Sequence, residues 1–115
     1  MDPLAVKLNV KFFRSDLGNE PVRDWLRDQD FIIRKAIGED IKTVQIGWPI
    51  GMPVVRKLDT GLWEVRTMFD HGIARVLFTV VGSDMVLLHS FIKKSDKTPK
   101  SDLKTAKDRK SLLLR

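Results

Sequence analysis

The sequence predicts an α+β fold, and three observations carry that prediction. The chain opens on a period-two alternation of apolar and polar residues, continues through two segments with helical spacing, and ends on four β-rich runs separated by short turn clusters. Layers of this kind bury their apolar surfaces best when a helical pair covers one face of a twisted sheet.

Taken in order, Val6 to Phe13 sets Val6, Leu8, Val10 and Phe12 against Lys7, Asn9 and Lys11, the pattern of an N-terminal half-buried strand. Ser15 to Asn19 breaks it. Asn19 is the expected cap of a helix in which an early Pro21 is harmless, because the first helical amides lack internal partners, and Val22, Trp25 and Leu26 form its apolar face. Asp30 offers a second start, after which Phe31, Ile33, Ala36, Ile37, Ile41 and Val44 recur at three- and four-residue steps up to Gly47, so the two segments read as a helical hairpin. Trp48-Pro49-Ile50-Gly51-Met52-Pro53 cannot continue a helix, since proline lacks an amide hydrogen and restrains the residue before it.

Val54 to Leu58, Leu62 to Phe69, Ile73 to Val81 and Met85 to Ile92 then predict an antiparallel sheet of four further strands. Asp59-Thr60-Gly61, Asp70-His71-Gly72 and Gly82-Ser83-Asp84 are the turns between them. Thr98-Pro99 opens a short basic C-terminal helix carrying Leu103, Ala106 and Lys107, ahead of the apolar Leu112 to Leu114. The sheet face away from the hairpin is the expected place for a substrate or partner.

The 115 residues suit a single domain, 1–115, with one modest core. The absence of cysteine excludes a disulfide framework, a thiolate metal site and a cysteine nucleophile, and points to the cytoplasm. Met1 to Val10 holds no apolar run of signal-peptide length, and no stretch approaches the roughly 18 apolar residues of a membrane span. No Gly-rich phosphate loop, dinucleotide fingerprint or His-Glu-x-x-His motif is present, so no cofactor is expected. His71 and His89 stand on different segments, so a metal site would need mainly carboxylates, and none is expected. The net charge of +6 points to a polyanion or an acidic protein as partner. Most of it lies between Lys93 and Lys110, where eight basic residues face three acidic ones. A merely solvated tail helix is the alternative reading of that run.

Strand alternation through Gly61 to Arg66 sets Leu62, Glu64 and Arg66 on one side and Trp63 and Val65 on the other, with Trp63 read as core. Arginine inside a strand is unusual for so well hydrated a group, and Arg75 repeats the situation on the next strand. The two could share one anion, or each could pair with a carboxylate such as Glu64 or Asp70. His89, Lys93 and Lys94, on or just past the last strand, are the best supply of proton-transfer groups. A structural, half-buried role for His89 is the alternative.

The run Lys57-Leu58-x-x-Gly61-Leu62-Trp63-Glu64-Val65-Arg66, followed by Arg75-Val76-Leu77-Phe78, Leu87-Leu88-His89-Ser90-Phe91-Ile92-Lys93-Lys94, Thr98-Pro99 and Ala106, resembles the RelE/ParE toxin superfamily. It looks most like the HigB-like, phage-derived toxin-like branch, and the first strand and Asn19-x-Pro21-Val22-x-x-Trp25 also fit. The resemblance implies a RelE-like fold and the toxin of a type II toxin–antitoxin system. It implies metal-independent, ribosome-dependent cleavage of messenger RNA, and a helix-turn-helix antitoxin in a hetero-oligomeric complex. Carried onto this chain, it makes Arg66 and Arg75 contacts to the reacting phosphate and places proton transfer among His89, Lys93 and Lys94. RNA contacts fall to Arg56, Lys57, Lys97, Lys100 and Lys104. The chain departs from several relatives in having no tyrosine. A ParE-like toxin that binds DNA gyrase without cutting RNA is the alternative on the same scaffold.

Overall fold

The computed structural model describes residues 5–113. Its elements run β1 (Asn9–Phe12), α1 (Pro21–Arg27), α2 (Phe31–Gly47), β2 (Val55–Asp59), β3 (Leu62–Phe69), β4 (Gly72–Val81), β5 (Asp84–Lys93) and α3 (Lys100–Leu113). The α+β class, the hairpin, the four antiparallel strands and the terminal helix stand as the sequence predicts, and the arrangement is consistent with a RelE-like fold. Leu114 lies outside the described residues.

The five strands form one mixed sheet in the order β1-β5-β4-β3-β2. β2 to β5 are antiparallel neighbours, whereas β1 pairs with β5 in parallel, Asn9 opposite Asp84 and Phe12 opposite Leu87. The chain therefore has to travel from one edge of the sheet to the other between β1 and β2. That is about 19 Å at ordinary strand spacing, and the 17-residue α2 is long enough at about 25 Å to make the crossing. The hairpin makes that crossing over one face of the sheet and buries its apolar side there. Gln45 secures the start of the crossing, its carbonyl accepting from the Lys7 and Leu8 amides and its side-chain amide donating to Leu8 O.

Two cores follow. Leu8, Val22, Ile37, Ile41 and Val44 pack on Val55, Val65, Ala74, Val76, Phe78, Met85 and Leu87 beneath the hairpin. Trp48 closes this side, edge-on to Trp63 at 4.9 Å and to Phe78 at 5.6 Å, which seats the proline loop on the sheet. On the opposite face, Phe13, Leu62, Leu77, Val86, Leu88 and Phe91 pack around Ala106 of α3, with Leu103 and Leu113 beside it. The face expected to be open is thus largely roofed by the C-terminal helix, and the molecule has three layers rather than two. Lys107 to Asp59 at 2.7 Å and Lys110 to Thr60 O at 3.0 Å fasten α3 to the β2–β3 turn. Gly61 in that turn has φ +66°, and an added Cβ would stand 3.0 Å from the Lys110 Nζ.

Four local expectations are corrected. The first strand is shorter than Val6 to Phe13, and Val6 is exposed because the chain there turns towards Gln45 instead of pairing. Asn19 does not cap α1: its backbone closes a turn with Ser15, and Glu20 occupies the cap position. Phe31, with Ile32, is exposed at the first turn of α2, beside the β3–β4 turn. The terminal helix, expected to be short, is 14 residues long.

Replacing Ile37, fully buried under the sheet, with alanine is expected to cost about 2–5 kcal/mol in urea denaturation. A second test concerns Asp59. Lys107 holds its carboxyl below the ordinary value of 3.8, first through their hydrogen bond, with the Thr60 amide helping. A depressed carboxylate stabilises above its unfolded value and loses that contribution as pH falls through the folded one. Asp59→Asn should therefore lower the melting temperature at neutral pH, and the difference from the wild type should vanish in acid.

Candidate functional site

On the α3 face, strand alternation and register align charged side chains that are scattered in sequence. Arg56 of β2 stands opposite Glu64 of β3, and Arg66 of β3 stands opposite Arg75 of β4. Two like charges directly opposed on neighbouring strands repel unless an anion joins them. Glu64, wholly buried two residues before Arg66, supplies the anion to one of them, its Oε1 accepting from Arg66 Nη1 at 2.8 Å.

The remaining partners come from the segment linking β5 to α3. Arg66 Nη2 donates to Asp96 Oδ1 at 3.1 Å, and Arg56 Nη1 to Asp96 O at 2.8 Å. Arg75, also wholly buried, donates through Nη1 to Lys97 O at 2.7 Å and through Nη2 to Ser95 O. Thr98 Oγ1 donates to Glu64 Oε2 at 2.9 Å. Among the described residues, Arg75 Nε alone is buried with no acceptor. Burial pushes the Arg75 guanidinium below its ordinary pKa, Glu64 opposes that, and Arg66 and Arg56 add to it. It stays charged, as guanidinium does in proteins.

Farther along the same face, His89 Nε2 meets Asp102 Oδ1 of α3 at 2.7 Å, with Lys93 Nζ 3.8 Å from the other carboxylate oxygen. The Phe91 ring lies between the two groups, 5.6 Å from the Arg75 guanidinium carbon and 5.8 Å from the His89 ring. Arg109 of α3 donates to Leu88 O at 2.8 Å and covers the Phe13 ring, its pKa lowered by burial. With Pro21, Trp25, His89 and Ser90 it lines a cavity of about 180 Å³.

Of the residues the sequence singles out, Arg56, Arg66 and Arg75 form one row, and His89 and Lys93 share Asp102. Arg56, Lys57 and Lys97 line a groove of about 310 Å³ with Leu58, Thr98 and Leu103. Lys94 and Lys100 are exposed outside these groups, and Lys104 is tied to Asp108 on the solvent side of α3. Sequence reasoning does not find Asp96 or Asp102. Both look like ordinary charges in a basic run, and only the docking of α3 brings them to their partners. Among the described residues no group of three His, Asp or Glu side chains is placed to hold a metal ion, and no helix is long and apolar enough to cross a membrane.

Residues 24–111 match the family described as phage-derived protein Gp49-like (DUF891). No curated protein matches the chain.

Removing one member of a buried ion pair strands the other charge, at a cost of about 3–5 kcal/mol. Glu64→Ala and Arg66→Ala should each lose about that much in urea denaturation, whereas Arg56→Ala, at the rim, should cost about 1 kcal/mol. Alanine at position 66 therefore reports stability as well as chemistry.

Proposed function

The chain belongs to the phage-derived Gp49-like family, a RelE/toxin-like family, and from that premise we propose that it is the toxin of a type II toxin–antitoxin pair that cleaves messenger RNA on the ribosome without a metal ion. The observation that carries this reading is the shared face: three arginines from three adjacent strands, then a histidine held by a carboxylate, with lysines at the strand end.

Such a site suits internal transfer at a phosphodiester. The 2′-oxygen bonds to the neighbouring phosphorus, the bond from phosphorus to the 5′-oxygen breaks, and a 2′,3′-cyclic phosphate and a 5′-hydroxyl result. The 2′-hydroxyl proton goes to a base and the 5′-oxygen takes one from an acid. With Asp102 at Nε2, the His89 tautomer that donates to the carboxylate leaves Nδ1 as an acceptor, which suits the base. Lys93 and Lys94 are the cations nearest in sequence from which the 5′-oxygen could be protonated. The family resemblance assigns Arg66 and Arg75 to the charge that builds on phosphorus, where a well-aimed fixed donor contributes about 3–4 kcal/mol. Arg56, Lys57 and Lys97 line a groove that suits the flanking phosphates, with Lys100 and Lys104 available beyond it. A helix-turn-helix antitoxin covering this basic face in a hetero-oligomer, and a cytoplasmic site of action, complete the reading.

Induction in bacteria, with 5′ ends mapped across the transcriptome, tests it. The expected outcome is new ends inside translated codons, lost on co-expression of the antitoxin and reduced about 10²- to 10⁴-fold by His89→Ala. Growth arrest with intact transcripts and a DNA-damage response would instead establish the gyrase-binding alternative.

A further inference from the structure

The arginine row is already occupied, and its occupant is the protein itself. Ser95, Asp96 and Lys97 each turn a carbonyl oxygen onto one of Arg75 and Arg56, and the Asp96 carboxylate meets Arg66. Four oxygens converge on three guanidinium groups, the arrangement that an oxyanion would otherwise supply to such donors. These contacts differ from the Glu64–Arg66 pair beneath them. Glu64 is wholly buried and fixed within the sheet, whereas Ser95, Asp96 and Lys97 are exposed, the Asp96 side chain to 83%.

The segment is built to leave. It holds the row through main-chain carbonyls and one surface carboxylate, and as Ser95, Asp96 and Lys97 it has no apolar side chain to anchor it in a core. Under it lies a donor that the strap does not satisfy, Arg75 Nε, buried and without an acceptor. A phosphodiester brings full negative charge and more lone pairs than two neutral carbonyls, so it can serve these guanidinium groups better than the strap does. We propose that residues 95–98 form a self-inhibitory strap that mimics a phosphate at Arg56, Arg66 and Arg75, and that a single-stranded RNA phosphate must displace it to reach the row. This rests on the ribonuclease reading for the identity of the ligand, and adds to it a closed resting state set by the strap. The tie from Thr98 to Glu64 then acts as the latch, releasing Glu64 Oε2 as the strap lifts.

The test uses the full chain and a short 2′-O-methyl RNA, which cannot be cleaved. Arginine side-chain resonances are followed by NMR, together with amide exchange at residues 95–98. On saturation, the Arg66 and Arg75 guanidinium signals are expected to shift and exchange across the strap to accelerate. Thr98→Val unties the strap without changing charge, and Asp96→Ala removes its carboxylate. Each should bind the oligonucleotide about tenfold more tightly, the worth of one charge-assisted contact. Asp24→Ala, an equal change of charge on the hairpin layer, should bind as the wild type does. Failure to bind, binding that leaves both arginine signals and strap exchange unchanged, or a Thr98→Val variant no tighter than wild type overturns the strap. The two readings part cleanly: displacement without transcript cleavage in cells keeps the strap and removes the ribonuclease, and cleavage with an immobile strap does the reverse.

Discussion

Burial of two opposed arginines is the constraint from which the architecture of the α3 face follows. The β3–β4 register fixes Arg66 against Arg75, and neither guanidinium can lose its charge to relieve the cost. Glu64 answers one of them from within the strand. Arg75 has no carboxylate of its own and takes the carbonyls of Ser95 and Lys97 instead, which pins the connection between β5 and α3 across the sheet. That connection sets where α3 begins, and in the first turn of α3 stands Asp102, which reaches His89. The polar row and the histidine dyad are thus two ends of one chain of constraints.

The apolar cores make that row affordable. Phe78, Leu77, Leu87 and Leu88 are fully buried in β4 and β5, on alternating faces, so the sheet is clamped from both sides before any charge is placed. A fully buried side chain of this size contributes about 1.5–3 kcal/mol, enough in aggregate to offset a few desolvated ions. Helix α3 gains little from burial of its own, with Ala106 alone buried, and leans on Lys107, Arg109 and Lys110 for its attachment. Part of the basic excess that reads as a nucleic-acid surface is therefore spent inside the molecule.

Family membership and fold agree with one another, but the fold hosts more than one activity. A carboxylate behind a histidine fixes the tautomer and orientation of the ring whichever activity the face serves. The position of Asp102 owes nothing to local sequence pattern.

The sequence by itself determined the elements. Periodicity in Val22 to Val44 and in Val55 to Ile92 is a local property, set by which side chains share a face, and so the hairpin, four strands, turns and terminal helix were legible within a residue or two. The sides of Leu62 to Arg66 were legible for the same reason, as was the oddity of arginine within strands. Tertiary structure alone decided the parallel pairing of β1, the roofing of the second face by α3, and the company each arginine keeps. Those depend on groups 13 to 40 residues apart meeting in space, as His89 meets Asp102 and Arg56 meets Asp96. A lone aspartate in a basic run looks the same whether it faces solvent or a buried cation. Only packing gives it a partner, because the energy of a charge depends on what surrounds it rather than on its neighbours in the chain.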